Sequence, residues 1–256
     1  MIEENRLGLI FTGGEGPLVD QILCIMGEAQ ILPGNRPVLV AADSGLLLAE
    51  KAGLTVDWII GDMDSLPAEE KGSGVCSQHR LAAYPAEKIL KFPEDKDFTD
   101  TELAFALLRE KNCKRIWIIG GGGGRLDQLF GLRSLFERDD PPERWVTAAD
   151  DIHCLEAPPL QGCKVSGFFI PSELLVSSAH KTPLFPVSVF PLGTGPWEAE
   201  STGLKWSLSG LSWHRDFIAI SNQAPEGNFS IRAIRGRFLT LMPFFPEQAR
   251  LAGHSS

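Results

Sequence analysis

Acidic residues stand at or just beyond the ends of several short apolar runs in this sequence. Open parallel sheets bind their ligands beyond the carboxyl ends of their strands, so residues that follow such runs are candidates for chemistry. The acidic residues placed in this way are Asp43, Asp62, Asp64 and Asp127. Carboxylates at successive strand ends are typical of sites that bind a metal ion together with phosphate.

The closest pair of these carboxylates is in the segment Gly61-Asp62-Met63-Asp64-Ser65. Residues two positions apart on an extended chain point to the same side, so Asp62 and Asp64 would repel each other. A hard divalent cation removes this repulsion, and Mg²⁺ prefers one or two carboxylates together with phosphate oxygens and water. A solvated turn is the other interpretation, because Asp, Gly and Ser are common turn residues.

A second acidic segment, Asp95-Lys96-Asp97-Phe98-Thr99-Asp100, precedes a helical pattern. Thr99 and Glu102 have the spacing of a capping box, which predicts that a helix begins here. The cap does not explain the carboxylates before and after Thr99. They would either stabilise the positive end of the helix or, like Asp100, bind metal.

The run of glycines at Gly120–Gly124 lies between an apolar run and a helical pattern. A loop without side chains lets backbone N–H groups approach a phosphate closely, although a flexible turn would have the same composition. The loop lacks the Gly-Lys-Ser/Thr ending of a Walker motif. Arg125 supplies the planar charge that suits phosphate, and Asp127 follows it by two residues.

The pattern of the elements changes near residue 150. Before it, apolar runs alternate with helix-period segments, which predicts an α/β domain with a mainly parallel sheet at residues 1–150. After it, short alternating runs separated by Gly, Pro, Ser and Asn predict a smaller all-β domain at residues 151–256. The boundary should lie between Pro141 and Pro159. The predicted strands are Leu7–Thr12, Val38–Ala42, Trp58–Ile60, Arg115–Ile119, Val187–Pro191, Phe217–Ile220, Phe229–Ile234 and Phe238–Met242.

Composition excludes several functional classes for these 256 residues, of which 43% are hydrophobic and 22% charged. A formal net charge of −9 disfavours nucleic acid as a partner. The five cysteines form no Cys-x-x-Cys pair, the acidic start is unlike a signal peptide, and no apolar run is long enough to span a membrane. We therefore expect a cytoplasmic protein. No convincing Ser/His/Asp arrangement is present.

Taken in order, these segments resemble the thiamine pyrophosphokinase family. The stretches that carry the resemblance are Ala42-Asp43-Ser44-Gly45, Ile60-Gly61-Asp62-Met63-Asp64-Ser65, Asp95-Lys96-Asp97-Phe98-Thr99-Asp100 with Glu102, and Gly120-Gly-Gly-Gly-Gly-Arg125-Leu126-Asp127. In the second half, Gly203-Leu204-Lys205-Trp206-Ser207-Leu208 and Ser221-Asn222 are similar to the thiamine-binding domain of that family. The resemblance thus spans most of the chain.

The resemblance implies a Rossmann-like α/β/α catalytic domain, a C-terminal β-sandwich and a homodimer with thiamine bound between domains of different subunits. The implied reaction converts ATP and thiamine to AMP and thiamine diphosphate. The implied ligands of Mg²⁺ are Asp62, Asp64 and Asp100. The implied ATP-binding residues are Asp43, Ser44, Gly45, Lys96, Thr99, Gly122, Gly123, Gly124 and Arg125. The implied catalytic residues are Asp100, Arg125 and Asp127, and the implied thiamine contacts are Asp127, Trp206, Ser221 and Asn222.

Three positions depart from the pattern of the family. Gln128 and Gly131 stand where the family often has His and Asn, and Lys96 stands where some relatives have Gln. Two alternatives therefore stay open: a pyrophosphokinase for another alcohol, such as a hydroxymethylpterin, and a non-catalytic nucleotide-binding regulator. The carboxylates specify the phosphates rather than the acceptor, so they do not separate these functions.

Overall fold

The computed structural model describes residues 6–31, 36–63, 77–93, 95, 97–159, 170–177, 185–244 and 249–252. The chain forms two compact units, Met1–Leu132 and Arg133–Ser256. Among the described residues, no helix is long and apolar enough to cross a membrane.

The first unit is built around five parallel strands in the order β4-β3-β2-β1-β5. Their bounds are Leu7–Thr12 for β1, Val38–Ala42 for β2, Trp58–Gly61 for β3, Ile89–Lys91 for β4 and Arg115–Gly120 for β5. Every residue of β1, β2 and β5 is buried. This burial on both faces explains why these strands are continuous apolar runs rather than alternating ones.

In the described part of the first unit and its end, five α-helices connect or follow these strands. Their bounds are Val19–Ile31 for α1, Gly45–Lys51 for α2, Ser77–Ala82 for α3, Asp100–Glu110 for α4 and Leu126–Ser134 for α5. Helix α4 buries Ala104, Phe105, Leu107 and Leu108, which form its apolar face. Parallel pairing places the carboxyl ends of all five strands at one edge of the sheet.

Two close contacts fix where α2 and α4 begin. A Cβ atom at Gly45 would lie 2.0 Å from the carbonyl oxygen of Phe11, so only glycine allows α2 to start this close to β1. The hydroxyl oxygens of Thr12 and Thr101 lie 2.7 Å apart in a buried hydrogen bond. This bond joins the end of β1 to the first turn of α4.

The second unit consists mainly of antiparallel strands, the first of which has only three residues. Their bounds are Arg144–Val146 for β6, Asp150–Glu156 for β7, Glu173–Val176 for β8, Pro186–Leu192 for β9, Glu198–Thr202 for β10, Ala219–Gln223 for β11, Phe229–Arg235 for β12, Arg237–Pro243 for β13 and Ala249–Ala252 for β14. One row of strands has the order β6-β7-β13-β9-β11 and another the order β10-β12-β8-β14. Residues from both rows form one core, including Val187 and Phe238 from the first and Leu174 and Ile231 from the second. The two rows of strands therefore pack against each other around a common core.

The mixed α/β class and the separate antiparallel sheet confirm the coarse fold prediction. Two of the predicted strands have the observed bounds, five differ by one residue at one or both ends, and Phe217–Ile220 corresponds to β11 at Ala219–Gln223. The predicted division at residue 150 stays a prediction. Strand β6, which precedes that residue, pairs with β7 in the second unit.

Candidate active site

A cleft of about 680 Å³ opens at the carboxyl ends of the parallel strands of the first unit. It brings together segments that are far apart in the sequence, as the strand order requires. The lining residues are Thr12, Gly13, Gly14, Ala42, Asp43, Ser44, Asp62, Asp97, Phe98, Thr99, Asp100, Thr101, Gly121, Gly122, Gly123, Gly124, Arg125, Gln128 and Leu132. The predicted residues Asp43, Asp62, Asp100 and Arg125 therefore share one cavity. Asp64 and Lys96 lie outside the described residues.

Gly61 leaves room for two of these carboxylates. A Cβ atom at this position would lie 1.8 Å from Oδ1 of Asp43 and 3.4 Å from Oδ1 of Asp100. Gly61 also has φ +144°, a conformation that residues with a side chain rarely adopt. The last residue of β3 must therefore be glycine for Asp43 and Asp100 to meet above it.

The environment of Asp43 is crowded with negative charge. Burial, a hydrogen bond with Asp100 and the charges of Asp100 and Asp62 together raise the pKa of this carboxyl to about 7. The backbone N–H of Met63 donates to Oδ1 of Asp43 at 3.4 Å, which opposes the rise. Like charges this close are stable only with a shared proton or a nearby cation.

The donor set suits a hard divalent cation. Asp43, Asp62 and Asp100 offer carboxylate oxygens, which are the ligands that Mg²⁺ prefers beside phosphate and water. Among the residues that the structure describes, no group of three or more His, Cys, Asp and Glu side chains is already arranged to hold a metal ion. One predicted ligand, Asp64, is not among them. The roles of Asp62, Asp64 and Asp100 as metal ligands stay predictions.

The start of α4 is fixed by the capping box that the sequence predicts. The hydroxyl of Thr99 accepts the N–H of Glu102 at 3.2 Å, and the N–H of Thr99 donates to Oε2 of Glu102 at 2.9 Å. The cap therefore uses the side chains of both Thr99 and Glu102. Asp100 lies between them at the first helical position, where the helix dipole favours a negative charge.

Backbone hydrogen bonds already use part of the glycine loop. The N–H of Gly121 donates to the carbonyl of Gly13 at 2.8 Å, and the N–H of Gly122 donates to the carbonyl of Glu15 at 2.9 Å. Gly123 and Gly124 have φ +63° and +66° and are exposed. The first part of the loop is thus bound to the segment after β1, and the predicted phosphate contact of Gly122 would have to come from something other than its N–H.

Arg125 and Asp127 pair with each other at the mouth of the cleft. Nη2 of Arg125 lies 2.5 Å from Oδ2 of Asp127, and its Nε donates to Oδ1 at 3.1 Å. The hydrogen bond and charge of Arg125 lower the pKa of Asp127. Both side chains are exposed, and Asp127, unlike Arg125, does not line the cleft.

Three of the four predicted thiamine contacts, Trp206, Ser221 and Asn222, lie in the second unit. Trp206 is 53% exposed, and Nζ of Lys205 lies 4.5 Å from its ring centroid. Oδ1 of the buried Asn222 accepts the N–H of Trp206 at 3.1 Å, and its Nδ2 donates to the carbonyl of Trp206 at 2.6 Å. Asn222 therefore holds the Trp206 backbone. Beside it, Ser221 has φ +57° and donates its N–H to Oγ of Ser188 at 3.2 Å.

Sequence reasoning missed the segment after β1. Thr12, Gly13 and Gly14 line the cleft, and Gly13 and Glu15 hold the glycine loop. A Cβ atom at Gly14, which has φ +88°, would lie 2.8 Å from the carbonyl oxygen of Gly122. The Thr-Gly-Gly sequence directly after the first predicted strand was the available signal.

Carboxylates, an arginine and a glycine loop at the strand ends of a parallel sheet define the class as α/β enzymes that act on phosphate groups. Residues 30–140 match the family model described as "Thiamin pyrophosphokinase, catalytic domain". This part of the chain therefore matches the catalytic domain of the family that the motifs indicate, which confirms the resemblance. No curated protein sequence matches the chain.

Solved structures show the same fold over nearly the whole chain. Thiamine pyrophosphokinase from Bacillus subtilis has a TM-score of 0.65 at 19% identity, with 94% of this chain and 100% of that chain covered. The enzyme from Geobacillus thermodenitrificans has a TM-score of 0.62 at 21% identity, covering 94% and 99%. The enzyme from Candida albicans has a TM-score of 0.61 at 13% identity, covering 95% and 90%. At these identities the likeness shows the fold.

Proposed function

We propose that this protein transfers the diphosphate group of ATP to the hydroxyl of thiamine, releasing AMP and thiamine diphosphate. The match to the catalytic-domain family and the meeting of Asp43, Asp62 and Asp100 in one cleft support this proposal. The acceptor is supported by the exposed Trp206, which Asn222 holds in the second unit. Dimerisation stays a prediction from the resemblance.

The carboxylate cluster would hold Mg²⁺, with Asp62, Asp64 and Asp100 as its proposed ligands. When bound, Mg²⁺ would neutralise the triphosphate and the charge that develops during phosphoryl transfer. The negative charges of Asp62 and Asp100 lie close to Asp43, and a bound cation would neutralise them. Asp43 then holds the cluster together through its hydrogen bond with Asp100.

The exposed N–H groups of Gly123 and Gly124 and the guanidinium of Arg125 would contact the phosphates. In the structure the guanidinium is paired with Asp127, so phosphate would replace a carboxylate as its partner. That exchange releases Asp127 to accept a hydrogen bond from the thiamine hydroxyl. A carboxylate with a lowered pKa is a weak base, so Asp127 would mainly orient the hydroxyl toward the β-phosphorus and take the proton late in the reaction.

The nucleotide product tests this proposal. The purified protein is incubated with Mg-ATP and thiamine, and nucleotides and thiamine esters are separated by chromatography. We expect AMP and thiamine diphosphate in equal amounts. Asp127→Asn should reduce AMP release at least about a hundredfold, the scale of a lost general base or orienting group. Asp139→Asn, an exposed matched substitution outside the cleft, should leave it unchanged.

The acceptor is tested in the same assay with a hydroxymethylpterin in place of thiamine. Consumption of the pterin without consumption of thiamine would contradict the proposed acceptor. Mg-ATP binding without thiamine-dependent AMP release would contradict the proposed reaction and favour a regulator. ADP in place of AMP would show transfer of a single phosphoryl group.

A further inference from the structure

A second cavity, of about 320 Å³, lies at the opposite edge of the parallel sheet of the first unit. Its lining residues are Arg6, Arg36, Pro37, Val38, Asp57, Trp58, Lys88 and Lys111. Arg6 directly precedes β1, and Lys88 directly precedes β4. Arg36 lies two residues before β2, and Trp58 begins β3. The cavity is therefore at the amino ends of the strands, about 10–20 Å from the carboxyl ends for strands of this length.

Four cations and one carboxylate line this cavity, although the chain as a whole has a net charge of −9. The carboxylate of Asp57 is already used: Arg36 pairs with its Oδ1, and the N–H of Leu39 donates to its Oδ2 at 2.9 Å. Within the described parts of the chain, no carboxylate lies at ion-pair distance from Arg6, Lys88 or Lys111. The lining thus has an excess of positive charge.

The cations are held in place by the cavity walls. Nζ of Lys88 lies 3.9 Å and Nζ of Lys111 lies 4.5 Å from the ring centroid of Trp58, both within cation–π range. Nη1 of Arg6 approaches the carbonyl of Lys111 at 3.5 Å, while its Nε is buried without a hydrogen-bond partner among the described residues. Like charges gathered around one indole repel each other, so an anion between them would be bound favourably.

We propose that this cavity binds a small phosphate-bearing anion, with Lys88, Lys111 and Arg6 as its cationic contacts. Lysine and arginine together match phosphate oxygens, and the concave shape removes part of the ligand from water. A diphosphate would contact more of these cations than a single phosphate and should bind more tightly. The site is distinct from the carboxylate cleft and does not depend on the reaction proposed for it.

Isothermal titration with sodium pyrophosphate, in EDTA to keep the anion free of metal, tests the proposal. Lys88→Gln and Lys111→Gln should each raise the Kd at least about tenfold, whereas the charge-matched Lys51→Gln, outside both cavities, should leave it unchanged. Arg125→Gln should also leave it unchanged, because Arg125 lies at the carboxylate cleft. Circular dichroism melts confirm that each variant is folded.

Two further measurements locate the ligand and identify its source. Pyrophosphate should change the tryptophan emission of the parent protein, and Trp58→Phe should remove most of that change. Titrations with sodium phosphate and AMP separate a free anion from a nucleotide: equal affinities indicate the phosphate alone, and tighter AMP binding indicates a nucleotide. Loss of binding in Arg125→Gln with full binding in both lysine variants would overturn the proposal, as would no binding of any of the three anions.

Discussion

Gly61 controls the carboxylate cluster at the scale of a single residue. Replacing it with alanine would place a methyl group 1.8 Å from Oδ1 of Asp43 and force an unfavourable φ of +144°. We expect Gly61→Ala to lower the free energy of unfolding by about 1–3 kcal/mol, the usual cost of such backbone strain. AMP formation should fall at least about tenfold, because displaced catalytic groups lose their alignment. Urea unfolding and the AMP assay measure the two effects.

Gly27→Ala is the matched control for this substitution. Gly27 lies inside α1, and a Cβ atom there would meet nothing within 4 Å. Alanine should therefore stabilise the protein by roughly 0.5–1 kcal/mol, because glycine is unfavourable inside a helix. If both variants unfold at the same urea concentration as the parent, the close approach at Gly61 does not constrain the fold.

Asp100 is the carboxylate whose removal should affect activity most directly. It begins α4, lines the cleft and forms a hydrogen bond with Asp43. We expect Asp100→Asn to reduce kcat/KM for AMP formation by about a hundredfold or more, since charge neutralisation supplies much of the rate in phosphoryl transfer. The matched change Asp95→Asn, in the same acidic segment but outside the cleft lining, should stay within about twofold of the parent. Equal losses in both would show that only the total charge of the segment matters.

Helix α4 positions Asp100 through its first turn. Thr99→Ala removes the side chain that accepts the N–H of Glu102 and should cost about 1 kcal/mol of stability. Thr99→Ser retains the hydroxyl and should keep both the stability and the KM for ATP of the parent. Urea unfolding and initial rates at varied ATP check this. A serine variant as unstable as the alanine variant would mean that the methyl group, rather than the cap, stabilises the helix.

The sequence predicts those elements whose signals are local. The buried strands β1, β2 and β5 are mostly apolar runs. The four residues from Thr99 to Glu102 form the capping box that marks the start of α4. Strand β4, only three residues long with no fully buried member, has no such signal. Short or polar strands of the second unit, such as β6 and β10, were missed for similar reasons.

Contacts between residues that are far apart in the sequence could not be predicted from the sequence pattern. The hydrogen bond between Thr12 and Thr101 joins residues 89 positions apart, a pairing that no local spacing indicates. Asn222 was predicted as a polar contact for thiamine, yet its amide holds the backbone of Trp206. Its type indicated a polar role, but only the folded chain shows which partner it has.

At the scale of the whole molecule, the first unit separates charge along its sheet. Carboxylates gather at the carboxyl ends of the strands, and cations gather around Trp58 at the amino ends. A net charge of −9 therefore conceals two local environments of opposite sign. The first favours a cation with phosphate, and the second favours an anion alone.

The second unit contains a different electrostatic feature, a buried ionic cluster. Nε and Nη2 of Arg144 donate to the two carboxylate oxygens of Asp151, each at 2.7 Å, and Nε2 of His153 lies 3.0 Å from Oδ1. All three side chains are at most 3% exposed. Burial alone would raise the pKa of Asp151, but Arg144 and His153 outweigh it and hold the pKa well below its usual range.

This cluster should make the stability of the protein depend on acid pH. Because the pKa of Asp151 is lower in the folded state than the unfolded value of about 3.9, its contribution is complete at neutral pH. The contribution is lost as pH falls below about 5 toward the folded pKa, since the unfolded chain then binds more protons. Asp151→Asn should cost about 3–5 kcal/mol at pH 7, because it leaves Arg144 buried without its carboxylate.

Urea unfolding of the parent and of Asp151→Asn from pH 7 to pH 3 measures this dependence. The difference between the two proteins should be largest at pH 7 and shrink as the pH falls below about 5, because unfolded parent chains then bind a proton at Asp151 that the folded protein does not. Asp216→Asn is the control: its carboxylate pairs with His214 but is 91% exposed, so solvent screens the pair and the unfolding curve should not move. A difference that stays constant from pH 7 to pH 3 would show that Asp151 stabilises the second unit by packing and not by charge.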